Sequence, residues 1–185
     1  MIEAELKARL TNPDHVRAAL DGRALAELAT YRDTYYDTRD TQLDSTGREL
    51  RLRTVETTDL VRHLLTFKEP AVDRQSGSKP EYETIVTVPA AVAHTFEALG
   101  YQPLIELTKH CENYRFSDGG RDFTATIVRV PEIDGVFLEV ETMAGEDQVG
   151  EALAAVRSIL AGLGIQDGEL TSELYTDAVR AARSA

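Results

Sequence analysis

The first ten residues alternate with a period of two. Ile2, Ala4, Leu6 and Ala8 fall on one face of an extended chain, while Glu3, Glu5, Lys7 and Arg9 fall on the other. A single strand of this kind is ordinary on a solvated sheet. The segregation recurs, however, along the rest of the chain. Arg51 and Arg53 alternate with Leu50 and Leu52, and Lys68 lies opposite Phe67 and Leu65. Lys79, Glu81 and Glu83 share a face, Lys109 shares one with Cys111 and Asn113, and Glu139 and Glu141 alternate with Leu138 and Val140.

Segments with helical spacing separate or follow these strands. Asn12 and Pro13 suit the start of a short helix carrying Val16, Ala19 and Leu20 and ending near Gly22. Pro89 to Leu99 spaces Val92, Phe96 and Leu99 helically before Gly100. Gly145 to Leu163 is amphipathic through Leu153, Val156, Leu160 and Leu163, and a last helix is expected from about Ser172 to Arg183. Tyr31 to Thr38 reads as a half-exposed strand, and Asp118-Gly119-Gly120 as a hairpin turn. Glu69 to Ser78 has no periodicity and reads as a surface loop able to serve as a lid. No internal repeat or linker interrupts the 185 residues, which are expected to form one domain, 1–185.

The charged faces together hold six carboxylates (Glu3, Glu5, Glu81, Glu83, Glu139, Glu141) and seven bases (Lys7, Arg9, Arg51, Arg53, Lys68, Lys79, Lys109). Only four lysines stand beside sixteen arginines, and all four are in this set. Apolar faces must meet the helices, so seven or eight antiparallel strands closed into a barrel would turn their charges inward. Two unit charges 4 Å apart interact by about 4 kcal/mol at an effective dielectric near 20. Clustered carboxylates therefore want divalent cations, and clustered bases want an anion; hard oxygen ligands suit Mg²⁺ or Mn²⁺, and Arg forks suit phosphate. A triphosphate with its metals meets both demands. The rival arrangement is an open sheet whose charges pair in water at about 0 to 1 kcal/mol each, but such a face would mix in Ser, Thr, Asn and Gln.

Composition excludes other classes. A formal charge of -12 argues against nonspecific nucleic-acid or anionic-membrane binding. One cysteine, Cys111, allows no internal disulfide, and no spacing suggests zinc. No apolar run approaches a membrane span, and no signal peptide precedes the first strand, so a cytoplasmic protein is expected. Oligomeric state, monomer or homodimer, is not legible.

Glu3-Ala4-Glu5-Leu6-Lys7 resembles the ExExK signature of the CYTH superfamily, the triphosphate tunnel metalloenzymes that include class IV adenylyl cyclases and thiamine triphosphatases. Tyr35-Tyr36-Asp37-Thr38, Leu50-Arg51-Leu52-Arg53, Leu65-Thr66-Phe67-Lys68, Glu81 with Glu83, Lys109 and Glu139-Val140-Glu141 follow in order. The resemblance implies an α+β fold, an antiparallel eight-stranded β-barrel tunnel with helices packed outside. It implies metal ligation by Glu3, Glu5, Glu139 and Glu141, phosphate binding by Lys7, Arg51, Arg53, Lys68 and Lys109, and further lining by Arg9, Lys79, Glu81 and Glu83. Lys7 is similar to the family lysine placed near the attacking water, with Tyr36 or Tyr175 as an assisting tyrosine. The implied activity is cleavage of a triphosphate-bearing small molecule, by water in a triphosphatase or by the 3'-hydroxyl of ATP in a class IV adenylyl cyclase. A noncatalytic polyphosphate or nucleotide sensor is the third reading. Two positions depart from the family pattern: Cys111 stands where an arginine is usual, and a family aspartate is missing near Val128 or Arg129.

Overall fold

The computed structural model describes residues 2–72 and 77–185. Asp73 to Ser76, the middle of the expected lid, lie outside the described residues. The described residues form eight strands: β1 (Ile2–Arg9), β2 (Glu27–Thr38), β3 (Glu49–Thr57), β4 (Val61–Lys68), β5 (Lys79–Val86), β6 (Tyr101–Asp118), β7 (Arg121–Arg129) and β8 (Phe137–Ala144). They close into a barrel in the order β1-β5-β4-β3-β2-β6-β7-β8, with every neighbouring pair antiparallel. Among the described residues four α-helices accompany it: α1 (Pro13–Asp21), α2 (Pro89–Ala98), α3 (Val149–Gly162) and α4 (Tyr175–Ser184).

The outer faces explain why this sequence closes. Leu6 and Ala8 of β1, Ile127 of β7 and Leu138 and Val140 of β8 are buried with Val16 and Leu20 of α1 and Val156, Ile159 and Leu160 of α3. Removing a leucine- or valine-sized side chain from water stabilises by about 1.5–3 kcal/mol, so these residues commit the oily face of each strand to the helices. Period two then turns the intervening charged residues into the lumen. Asn12 caps α1 by accepting from the backbone N–H of His15 at 3.3 Å, and Pro13 opens the helix.

β1 and β8 run beside each other over their whole length, with Glu5 opposite Glu141 and Lys7 opposite Glu139. On its other edge β1 meets β5 at only two positions, Ile2 with Pro80 and Glu3 with Lys79. That seam is the thinnest in the barrel. After α3, residues 166–174 cross one mouth of the barrel: Leu170 bridges Ala8, and the N–H of Thr171 donates to the carbonyl of Lys7 at 2.9 Å. No helix of the described residues is long and apolar enough to cross a membrane.

Candidate active site

β1 supplies Glu3, Glu5 and Lys7 to the lumen, and β8 supplies Glu139 and Glu141. Register decides which of them meet. Glu3, Glu5 and Glu141 each present a carboxylate oxygen within 4.8 Å of the others. Burial pushes the Glu5 carboxyl up to about 7, reinforced by Glu139 and Glu3, and Glu141 is likewise held well above the ordinary carboxylate range by burial and by Glu3 and Glu5. Glu3 escapes this fate. Against the upward push of burial, the Lys68 ammonium, 2.6 Å from its Oε2, holds it well below the usual range. Glu81 contacts Lys68 at 2.7 Å and is pushed up to about 7 by burial and by Glu3.

Glu139 stands apart from that trio. It faces Lys109 at 3.8 Å and lies beside Lys7 and the Tyr175 hydroxyl. Expected among the metal ligands, it falls with the bases, because its strand position is opposite Lys7 rather than opposite Glu5. The Tyr175 ring, at the first turn of α4, sits between two ammoniums: Lys7 Nζ is 4.4 Å and Lys109 Nζ 4.3 Å from its centroid. Cation–π attraction on this buried ring offsets part of the cost of bringing two like charges together. Lys7 Nζ also donates to the backbone carbonyl of Glu173, and burial lowers its pKa from the ordinary lysine value.

β3 contributes two arginines in unlike states. Asp33, 1% exposed on β2, takes Arg53 Nε and Nη2 at 2.6 and 2.7 Å, and the guanidinium lies 4.5 Å over the Tyr31 ring. Arg53 is therefore fixed in plane and on its face. Arg51, also buried, reaches only Thr66 Oγ1 at 3.2 Å and keeps Glu83 and Glu81 at 3.9 and 4.0 Å; its Nε has no partner. An unsatisfied buried donor costs about 1–3 kcal/mol, so Arg51 is arranged for an acceptor that the protein itself does not supply. Lys79 closes one rim, paired with Glu49 and donating to the carbonyl of Gly47 at 3.0 Å.

Tyr36, expected as an assisting tyrosine, and Arg9, expected in the lining, are elsewhere. Tyr36 points outward and packs edge-on against Phe96 of α2 at 5.1 Å, because the register between β2 and β6 shifts between Tyr35 and Tyr36 and alternation assigns Tyr35, not Tyr36, to the lumen. Arg9 continues the charged face of β1 but lies exposed beyond the rim. It donates to the carbonyl of Asp134 at 3.2 Å over Gly135, whose φ of +107° and missing Cβ leave room for the guanidinium. Asp37, the acid of the Tyr-Tyr-Asp-Thr stretch, is a turn former: its carboxylate accepts from the N–H groups of Thr38, Leu43 and Asp44 at 2.7–2.9 Å.

Asp33, Tyr31 and Tyr35 of β2 and Thr66 of β4 were given no site role from the sequence: Tyr31 and Tyr35 line the lumen, and Asp33 and Thr66 hold Arg53 and Arg51. The signal for the first three was present as the period-two series 31, 33, 35 on one strand. Cys111 and Val128, the latter one of the two positions near which the family aspartate is missing, are neighbours in space. Cys111 of β6 and Val128 of β7 are directly paired, 3% and 0% exposed, and pack with Leu107, Val130 and Phe137. At this pair the barrel has a dry wall. Burial pushes the Cys111 thiol up to about 12, so it is no nucleophile.

The lumen opens into two chambers that share Glu3, Arg51, Arg53, Lys109, Glu139 and Glu141. The near one, about 630 Å³, lies under the 170–176 segment with Lys7, Lys68, Lys79 and Tyr35. The far one, about 990 Å³, opens at the other mouth. Three carboxylates, two of them with pKa values raised by burial and by neighbouring carboxylates, form an oxygen-only donor set. Such a set suits a hard dication, whose charge would offset their mutual repulsion.

A family model for the CYTH domain matches residues 1–175. The chain belongs to the CYTH family. Among its relatives is a Methanocaldococcus jannaschii protein named a "putative adenylate cyclase", 24% identical over 180 residues that span 96% of this chain and 98% of the relative. A solved structure from Pyrococcus horikoshii superposes with a TM-score of 0.84 at 23% identity, covering 98% of this chain and 99% of that one. A Hippeastrum protein, whose structure was described as revealing a dominant triphosphatase activity in a "putative adenylyl cyclase", superposes at 0.67 with 16% identity, covering 98% and 96%. At these identities the structural likeness shows the fold of this CYTH chain, not its substrate.

Proposed function

We propose that this protein cleaves a triphosphate-bearing small molecule at a phosphoanhydride bond inside the barrel, with Mg²⁺ or Mn²⁺ as cofactor and water as nucleophile. The observation that carries the reading is the meeting of the Glu3–Glu5–Glu141 trio with Arg51, whose buried Nε has no partner, in one lumen. Each half demands what the other's ligand brings: the acids a dication, the bases a polyanion.

Glu3, Glu5 and Glu141 would hold the metal, which when bound supplies charge neutralisation and polarises a phosphoryl oxygen. Arg51, with its free Nε, takes a phosphate oxygen directly. Arg53 presents its remaining N–H groups from a fixed position, since Asp33 and Tyr31 hold it; such pre-orientation costs no reorganisation as charge develops. Lys109 and Lys68 extend the cationic path. Lys7, held by the Glu173 carbonyl and the Tyr175 ring, is placed to orient the attacking oxygen. Tyr175, not Tyr36, is the tyrosine within reach of that step.

Adenylyl cyclase activity is the second reading, favoured by the name carried by the archaeal relative. There the attacking oxygen is the 3'-hydroxyl of ATP, and the products are cyclic AMP and pyrophosphate. The test is a product assay with ATP, thiamine triphosphate and tripolyphosphate, each with Mg²⁺ or Mn²⁺, beside Glu5→Gln and Lys7→Ala. Metal-dependent phosphate release lost in both variants supports the hydrolase, and cyclic AMP supports the cyclase. Tight metal-dependent binding without turnover leaves a sensor and overturns both.

A further inference from the structure

Asn113 shares the charged face of β6 with Lys109, yet it is neutral and the phosphate path described above does not use it. It is 2% exposed and ties three strands together. Its Oδ1 accepts from the Tyr31 hydroxyl of β2 at 3.2 Å and from the Thr126 hydroxyl of β7 at 3.0 Å. Its Nδ2 donates to the backbone carbonyl of Glu27, where β2 begins, at 3.4 Å. Both lone pairs of the amide oxygen are thus committed to hydroxyls, while the amide nitrogen anchors the group to the backbone.

What this arrangement holds is the Tyr31 ring. The fork to Asp33 fixes one edge of the Arg53 guanidinium, but a fork leaves the plane free to tilt about the line through its two bonds. The face of Tyr31, 4.5 Å from Arg53 Cζ, stops that tilt. Tyr31 is itself only half-buried, so packing leaves its side-chain torsions room to move, and the bond from its hydroxyl to Asn113 takes that room away. We propose that Asn113 and Tyr31 are positioning residues for the phosphoryl transfer: through the Tyr31 ring they fix the direction in which Arg53 presents its remaining N–H groups to the substrate. The inference rests on the triphosphate reading above. When this link is cut Arg53 keeps its charge and its bonds to Asp33, so attraction for the polyanion survives; what is lost is orientation as charge develops.

Steady-state kinetics test it in Tyr31→Phe, Asn113→Ala and the double variant, with Mn²⁺ and whichever of ATP, thiamine triphosphate and tripolyphosphate the unaltered chain turns over fastest. Tyr31→Phe keeps the ring over Arg53 and removes only the hydroxyl. One lost hydrogen bond corresponds to about two- to tenfold, so kcat is expected to fall about fivefold. KM should stay within about twofold and the melting temperature within about 2 °C, a split that a merely structural bond would not give. Asn113→Ala is expected to lower kcat by a similar factor, and the double variant no further than the larger single effect, because both changes cut the same link. Thr126→Val, which leaves Tyr31 bonded to Asn113, is expected to keep kcat. Native kcat in Tyr31→Phe, or effects that multiply in the double variant, overturns the inference and leaves the triphosphate reading standing. No turnover of any triphosphate by the unaltered chain overturns both. Should Asn113→Ala not fold, Tyr31→Phe alone decides.

Discussion

Asp33 and Arg53 face each other across β2 and β3 in a two-bonded fork at 2.6 and 2.7 Å, with the carboxylate entirely buried. Removing one member of a buried pair strands the other, at a cost of about 3–5 kcal/mol. Asp33→Ala is expected to lower the unfolding free energy by that amount, read from urea titration, and Asp33→Asn by less because it keeps an acceptor. Against the push of burial, Arg53 holds Asp33 well below the ordinary aspartate range. A depressed carboxyl contributes stability that is present above the unfolded-state value of about 3.9 and lost as pH falls through the folded one. The stability difference between the native chain and Asp33→Asn should therefore shrink only below about pH 4.

The glutamates titrate with the opposite sign. Glu5 and Glu81 are each pushed up to about 7 by burial and nearby carboxylates. Raised carboxyls contribute stability that is full below the unfolded value of about 4.3 and lost as pH rises through 7. Protein treated with chelator should melt lower at pH 8 than at pH 6, by a few degrees for roughly 1–3 kcal/mol, and Mn²⁺ should reduce that difference. Binding of the ion should release protons, seen as an enthalpy that depends on buffer. A melting temperature that does not move between these pH values would contradict the arrangement.

Cys111 and Val128 form one unit. Cys111→Arg alone puts a guanidinium against a dry wall and should destabilise by several kcal/mol. Cys111→Arg with Val128→Asp restores a charge pair, so the double variant is expected to be more stable than Cys111→Arg alone. A double-mutant cycle measures the coupling, expected above about 1 kcal/mol. The thiol itself, pushed up to about 12, should resist alkylation at pH 8 until the chain is unfolded.

Tyr175 separates two roles of one side chain. Tyr175→Phe keeps the ring between Lys7 and Lys109 and should retain the native melting temperature within about 2 °C, whereas Tyr175→Leu loses the cation–π contacts and should cost about 1–3 kcal/mol. Turnover that falls in Tyr175→Phe without a change in stability would assign a part to the hydroxyl.

The barrel was legible because burial is a one-residue property: each oily position on a strand announces its face, and its neighbours inherit the other. Pairing is not such a property. That Glu141 joins Glu5 while Glu139 joins Lys7 and Lys109 depends on register between strands far apart in sequence. The adjacent tyrosines 35 and 36 are told apart by the series 31, 33, 35, which ends where the register between β2 and β6 shifts. Asp33 escaped notice because Arg32-Asp33 reads as a local solvated pair, whereas their partners are Glu56 and Arg53 on another strand. Lys7 is held by a backbone carbonyl at Glu173, and carbonyls have no identity in a sequence.

The junction of β1 with β8 sets a schedule for biosynthesis. Arg9 and Phe137 are paired, yet 128 residues separate them, the difference of their numbers. At roughly 5–20 residues per second, a ribosome takes on the order of ten seconds to supply β1 with its full-length neighbour, and the Thr171 and Glu173 contacts to Lys7 come later still. Until then the nascent chain carries an unpaired strand edge with two adjacent carboxylates and no closed lumen. Chaperone protection of that edge, and silence of the site in every ribosome-bound fragment shorter than about 175 residues, follow from the same strand order.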